Sequence, residues 1–203
     1  SIFIMKNLVI HDIVPGPENK VRKSDLTWKE LARSLQPYAN QNIRLYIDDG
    51  YESILIYLDN IHKIVPYAEI FLAIITNLID TPGYLSSQNL KQLDETPNVT
   101  IVSHSTSHAS LTPYKAPHSY QIPPGGIYQD HPYSKTDSLS EQEILYQLKE
   151  SQKVLEDILR RPVQEFVLPF GWYTKELLDY ILSTNVYTKL SVTGTSPDTE
   201  HIR

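Results

Sequence analysis

Short apolar runs alternate with amphipathic stretches along most of the chain. Leu8-Val9-Ile10, Ile43 to Ile47, Ile70 to Ile75, Val99 to Val102, Phe166-Val167-Leu168 and Val186 to Val192 have strand length and read as buried strands. Between them, Trp28 to Ala39, Tyr51 to Ile64, Ser87 to Glu95, Ser140 to Leu159 and Thr174 to Ser183 carry apolar residues at spacings of three and four. That period predicts helices with one buried face. Ser140-Glu141-Gln142-Glu143 has the spacing of a capping box just before an apolar-periodic run, so a helix start is expected there. The βαβα succession predicts an α/β domain built on a mainly parallel sheet or barrel. Leu111 to Asp137 breaks the rhythm, with five prolines, Gly125-Gly126, four tyrosines and two histidines. It is expected to be a long loop insertion and a candidate substrate wall.

A chain of 203 residues suits one domain, 1–203, with a barrel-sized core. The net charge of −6 argues against nucleic-acid binding, because phosphate contacts need a clustered excess of Lys and Arg. No apolar run approaches the ~18–20 residues of a membrane span. The opening SIFIMKNLVI lacks the pattern of a signal peptide, which tips the expectation slightly toward the cytoplasm, with the cell envelope left open. Cysteine is absent, so any metal must be held by His, Asp or Glu, and the search narrows to seven histidines. Fourteen tyrosines and two tryptophans would suit stacking on sugar rings.

Two constellations carry candidate chemistry. Tyr46-Ile47-Asp48-Asp49-Gly50 is an apolar strand ending in two carboxylates and a glycine. Ligands of parallel α/β folds bind at the carboxyl ends of strands, where this pair could supply one metal ligand and one general base. The plain alternative is an Asp-Gly turn. His104 and His108, four apart after the apolar run ending at Val102, would share one face of a helical turn and reach one divalent ion. A bland surface pair is the alternative, and the strand-end Asp-Asp-Gly favours the metal.

Together, Asp48-Asp49-Gly50, His104-Ser105-Thr106-Ser107-His108 and Leu168-Pro169-Phe170-Gly171 resemble, in that order, the motifs of the polysaccharide deacetylase family, the chitooligosaccharide deacetylase homology domain. Pro82 to Leu90 is similar to the family's segment opening a helix before the histidine strand. The resemblance spans most of the chain. It implies a distorted, incomplete (β/α) barrel with the metal at the C-terminal ends of its strands. The implied activity is removal of acetyl groups, N-acetyl first, from an acetylated oligo- or polysaccharide or a sugar precursor, with a metal-bound water as nucleophile. Carried over by position, it implies Asp49, His104 and His108 as ligands of Zn2+, with Co2+, Ni2+, Mn2+ or Fe2+ suited to the same donors. It further implies Asp48 as general base and the Phe170 backbone N–H as donor to the oxyanion.

The family's late Leu-x-x-His-Asp motif does not follow Gly171. Leu8-Val9-Ile10-His11-Asp12 has that form at the other end of the chain, as in exopolysaccharide deacetylases that look circularly permuted, and this makes His11 the general acid. Asp12 or another carboxylate could orient it. The family's arginine, which pairs with the base, is missing around Phe166, Val167 and Leu168, and neither Arg161 nor Arg203 is a convincing substitute. Trp172 and Tyr173 are candidate sugar-binding residues. His118 and His131 read as loop histidines rather than ligands. Two other readings stay open: an amidase for a non-sugar C–N bond, and a carbohydrate-binding relative without turnover.

Overall fold

In a computed structural model, which describes residues 5–111, 139–192 and 199–201, the apolar runs and amphipathic stretches fold largely where their periods place them. In chain order the elements are β1 (Lys6–Ile10), β2 (Ile13–Val14), β3 (Leu26–Thr27), α1 (Trp28–Leu35), β4 (Ile43–Asp49), α2 (Ile54–Ile64) and β5 (Glu69–Ile74). They continue with α3 (Ser87–Asp94), β6 (Val99–Ser103), α4 (Glu141–Leu159), β7 (Glu165–Val167), α5 (Lys175–Ser183), β8 (Lys189–Ser191) and β9 (Thr199–His201). The insertion expected at 111–137 lies outside the described residues except for Leu111, which is buried.

Seven strands form one parallel sheet in the order β8-β7-β6-β5-β4-β1-β9. The sheet curls but its edges β8 and β9 are not neighbours, so the architecture is the distorted, incomplete (β/α) barrel that the motifs imply. Alternation along the strands separates two faces. Leu8, Ile10, Leu45, Ile47, Ile70, Leu72, Ile101 and Phe166 share one core with the buried faces of the helices, including Leu31, Ile61, Leu90, Leu148 and Ile181. Val9, Tyr46, Phe71, Ala73, Val102 and Val167, at the intervening positions, make a second cluster on the inner face. There Tyr46 stacks on Phe71 with centroids 4.9 Å apart and donates its hydroxyl to buried Glu165 at 3.2 Å.

Local chemistry sets the helix starts. Ser140 Oγ caps α4 by accepting from Glu143 N–H, and its own N–H donates to the Glu143 carboxylate, as its spacing predicts, while Thr27 with Glu30 and Ser86 with Asn89 do the same for α1 and α3. Helix α1 stops at Leu35, four residues before the expected end, and the chain tightens into a 3₁₀ turn at Gln36–Tyr38 containing Pro37. The two-residue strands β2 and β3 are too short to show a period, and β9 lies in the polar Thr199-Glu200-His201, where no apolar run announces it. Among the described residues, no helix is long and apolar enough to cross a membrane.

Leu148, 0% exposed, joins α4 to the sheet core. Leu148→Ala should lower the unfolding free energy in urea by about 2–5 kcal/mol. Lys153→Ala, which removes an exposed i,i+4 pair with Asp157, should leave the urea midpoint essentially unchanged.

Candidate metal centre

Strand β4 delivers two adjacent carboxylates, and the pleat alone would send them to opposite faces. Asp48 has the same parity as Tyr46 and so belongs to the inner face. Asp49 has the parity of Ile47, yet its backbone takes φ +82°, followed by Gly50 at +81°, and this turn ends the strand. A side chain at Gly50 would be strained by that φ, and its Cβ would meet Ile74 Cδ1 at 3.3 Å. Both carboxylates are buried, at 3% and 8% exposure.

His104 and His108 do not share a helical turn. His104 extends the β6 ladder, its N–H bonding to Ile74 O at 2.8 Å, and the chain then turns through left-handed Ser105 (φ +73°) and His108 (φ +59°). Ser105 Oγ accepts from His108 N–H at 2.9 Å and closes the loop. The i,i+4 spacing still converges, because the loop folds back as tightly as a helix would, and the two Nε2 atoms are 3.1 Å apart. Asp49, Ser105, His108 and Phe170 are four of the eight non-glycine residues at positive φ among those described. Such conformations cost on the order of 1–3 kcal/mol each and concentrate where function holds them.

Asp49 Oδ1 lies 3.4 Å from His104 Nε2 and 3.6 Å from His108 Nε2. His104 Nδ1 is 2.8 Å from the Val167 carbonyl, which can only accept, so the proton sits on Nδ1 and the Nε2 lone pair faces Asp49. Two acceptors therefore point at one another, and Asp49 Oδ1 is buried with no hydrogen-bond partner among the described residues. A shared cation satisfies them. Tetrahedral coordination at ~2.1 Å sets ligand atoms about 3.4 Å apart, close to all three separations. These residues fit a divalent ion held by Asp49, His104 and His108. When protons on the imidazoles take the place of an ion, burial still raises the Asp49 carboxyl, but a hydrogen bond from His104 and the charges of His108 and His11 outweigh it and hold it far below the usual carboxylate range. Burial also opposes protonation of His104, and Asp48, then Asp49, reverse this and raise it.

Asp48 Oδ2 is 4.0 Å from His104 Nε2. His11 stands one residue past β1, on the inner-face parity of Val9, and is half-buried within electrostatic reach of Asp49. The carboxylate of Asp12 accepts from Ile13 N–H at 2.9 Å and lies 3.7 Å from Arg22. Phe170 (φ +63°) and Gly171 (φ +64°) turn the chain after β7, and the Phe170 ring packs against His108 with centroids 4.4 Å apart. Trp172 is 1% exposed and stacked on Phe170 at 4.6 Å, so in this position it backs Phe170. Tyr173 is partly buried against the core. Arg161 is engaged elsewhere, bonding Asp94 at 2.8 and 2.5 Å and the Ile101 carbonyl. Arg203, His118 and His131 lie outside the described residues.

Sequence reasoning passed over two groups. Arg22 sits 4.6 Å over the Tyr51 ring, which stacks on Tyr84 at 5.1 Å, placing a cation and two phenols beside the Asp49 turn. Gln147 is buried on the apolar stripe of α4 and bonds the histidine loop. A polar side chain at a core position, among Ile144, Leu148, Ser151 and Leu155, was its only signal.

A parallel, curled sheet with an Asp-His-His cluster at its carboxyl end defines an incomplete α/β barrel with a candidate metal site. The family model for polysaccharide deacetylase matches residues 39–188, and the chain belongs to that family. No curated protein matches it. Solved structures share the fold at low identity. A polysaccharide deacetylase from Bacillus cereus is 16% identical with a TM-score of 0.67, the match covering 97% of this chain and 63% of that one. A de-N-acetylase from Aggregatibacter actinomycetemcomitans is 14% identical with a TM-score of 0.64, covering 97% and 93%. IcaB from Ammonifex degensii is 14% identical with a TM-score of 0.61, covering 92% and 82%. The chain thus spans less than two thirds of the Bacillus cereus protein.

Elemental analysis of the purified chain should find about one divalent ion per molecule, lost in Asp49→Ala, whose removal leaves two of the three ligands. Imidazoles must be deprotonated to bind a metal, and the pKa of His104 is raised above its usual 6.5 by Asp48 and Asp49. Metal affinity should therefore fall as pH drops, beginning above 6.5, by about tenfold per pH unit for each proton displaced. Competition with a chromogenic chelator across pH 5–8 would measure it, and a flat profile contradicts the ligand set.

Proposed function

We propose that this chain is a metal-dependent deacetylase that removes N-acetyl groups from an acetylated carbohydrate. The observation that carries the reading is the buried Asp49–His104–His108 triangle, with acid Asp48 beside it on the inner face of the sheet. Membership in the polysaccharide deacetylase family supports the substrate class.

A divalent ion bound there, zinc by preference, supplies a Lewis acid that polarises the acetyl carbonyl and lowers the pKa of water. The remaining roles fall to the chain. Asp48, buried and 4.0 Å from His104, takes the proton of the attacking water as its oxygen bonds to the acetyl carbon. The backbone N–H of Phe170 donates to the carbonyl oxygen as negative charge develops there, a role that needs no side-chain hydroxyl. His11 gives a proton to the leaving nitrogen as the C–N bond breaks, so acetate and a free amine depart. Phe170 and Tyr173 offer aromatic surface to the sugar, and Trp172 supports Phe170 from behind.

The test is acetate release from N-acetylglucosamine oligomers by protein reconstituted with zinc, cobalt, nickel, manganese or iron. Asp48→Asn should retain the ion and lose about 10²–10⁴ in kcat, as removal of a general base does. Bound metal with no acetate release would move the reading to another amide substrate or a binding role, and absence of metal after reconstitution would end it.

A further inference from the structure

Residues 104–108 form an irregular loop, so its backbone groups need partners from outside it. On one side the β5 end supplies them: Thr76 N–H bonds Ser105 O at 3.1 Å and Asn77 N–H bonds Thr106 O at 2.9 Å. On the other side the partner is one residue of α4. Gln147 Oε1 accepts from both Thr106 N–H and Ser107 N–H at 3.1 Å. Its Nε2 donates to Ser107 Oγ at 2.9 Å, and its backbone carbonyl accepts from Thr106 Oγ1 at 3.1 Å. The side chain is 4% exposed on a helix face shared with Ile144, Leu148, Ser151 and Leu155. A buried amide in such a place is costly unless its bonds are made, and all of these go to the segment between His104 and His108.

We propose that Gln147 is a positioning residue for the metal centre: it holds the Thr106–Ser107 segment so that the two imidazoles, 3.1 Å apart at Nε2, converge with Asp49. The inference rests on the metal reading above. A helix thereby sets the geometry of two ligands it does not carry. With an apolar side chain at 147, the buried Thr106 N–H and the part-buried Ser107 N–H lose their acceptor, the loop relaxes, and His108, held at φ +59°, drifts from the site. The effect falls on ion affinity rather than on the proton transfers.

The experiment is zinc affinity of the apo protein by chelator competition, with the urea midpoint of the same apo samples alongside. Gln147→Met and Gln147→Ala should weaken zinc binding by about 10–100-fold, the range for partners that orient metal ligands. Gln147→Glu, which keeps an acceptor for both N–H groups, should stay within about threefold of the parent. A purely structural role would lower the urea midpoint and leave the affinity of the folded fraction unchanged, and that result overturns the proposal. Should the Met and Ala variants not fold, Thr106→Val, which removes only the hydroxyl bond to the helix, carries the test, with a loss of a few-fold expected and parental affinity overturning it. Failure of the parent to bind zinc would instead overturn the metal reading itself.

Discussion

An ionised carboxylate buried beside two imidazoles is the constraint on which the rest of this structure turns. Asp49 at 8% exposure and His104 and His108 at 2–3% are removed from water, and their ligand atoms lie 3.1–3.6 Å apart. Such a cluster is expensive without a shared cation, because burial penalises charge and two facing acceptors repel. The surrounding structure is arranged to enforce it. The His104 proton is committed to Val167 O, and the loop between the histidines is bonded from β5 and α4.

The same constraint accounts for where the backbone is strained. Asp49, Ser105, His108 and Phe170 adopt left-handed conformations at the carboxyl ends of β4, β6 and β7. Regular alternation would send Asp48 and Asp49 apart, and the turn at Asp49 brings both into one site. The large core behind the sheet, shared by strands and helices, stabilises a fold that can carry this local cost.

Fold and site also divide the two faces of the sheet. The helix-facing side is mostly apolar and makes the core, whereas the inner face changes character along β1, β4 and β6. Its middle is Val9, Tyr46, Phe71 and Val102, and its carboxyl end is His11, Asp48 and His104. Parallel strands end together at one rim, so residues 93 positions apart in sequence, His11 and His104, are brought to the same edge.

Continuous apolar runs in the sequence determined β1 and β4 to β8, of which β1 and β4 to β7 are buried on both faces, and apolar residues at spacings of three and four determined the five helices, each of which buries one face. Asp48-Asp49-Gly50 and the His104, His108 pair were legible as motifs, because the absence of cysteine left few residue types able to hold a metal. The tertiary structure alone decided the rest. It replaced the expected helical turn with a left-handed loop, since loop conformation follows partners that are distant in sequence, such as Gln147. It buried Trp172, engaged Arg161 with Asp94 and set Arg22 over Tyr51, because a side chain's surroundings depend on which strands and helices become neighbours. It also added β9 beside β1, a pairing of backbone groups that Thr199-Glu200-His201 does not signal by any apolar pattern.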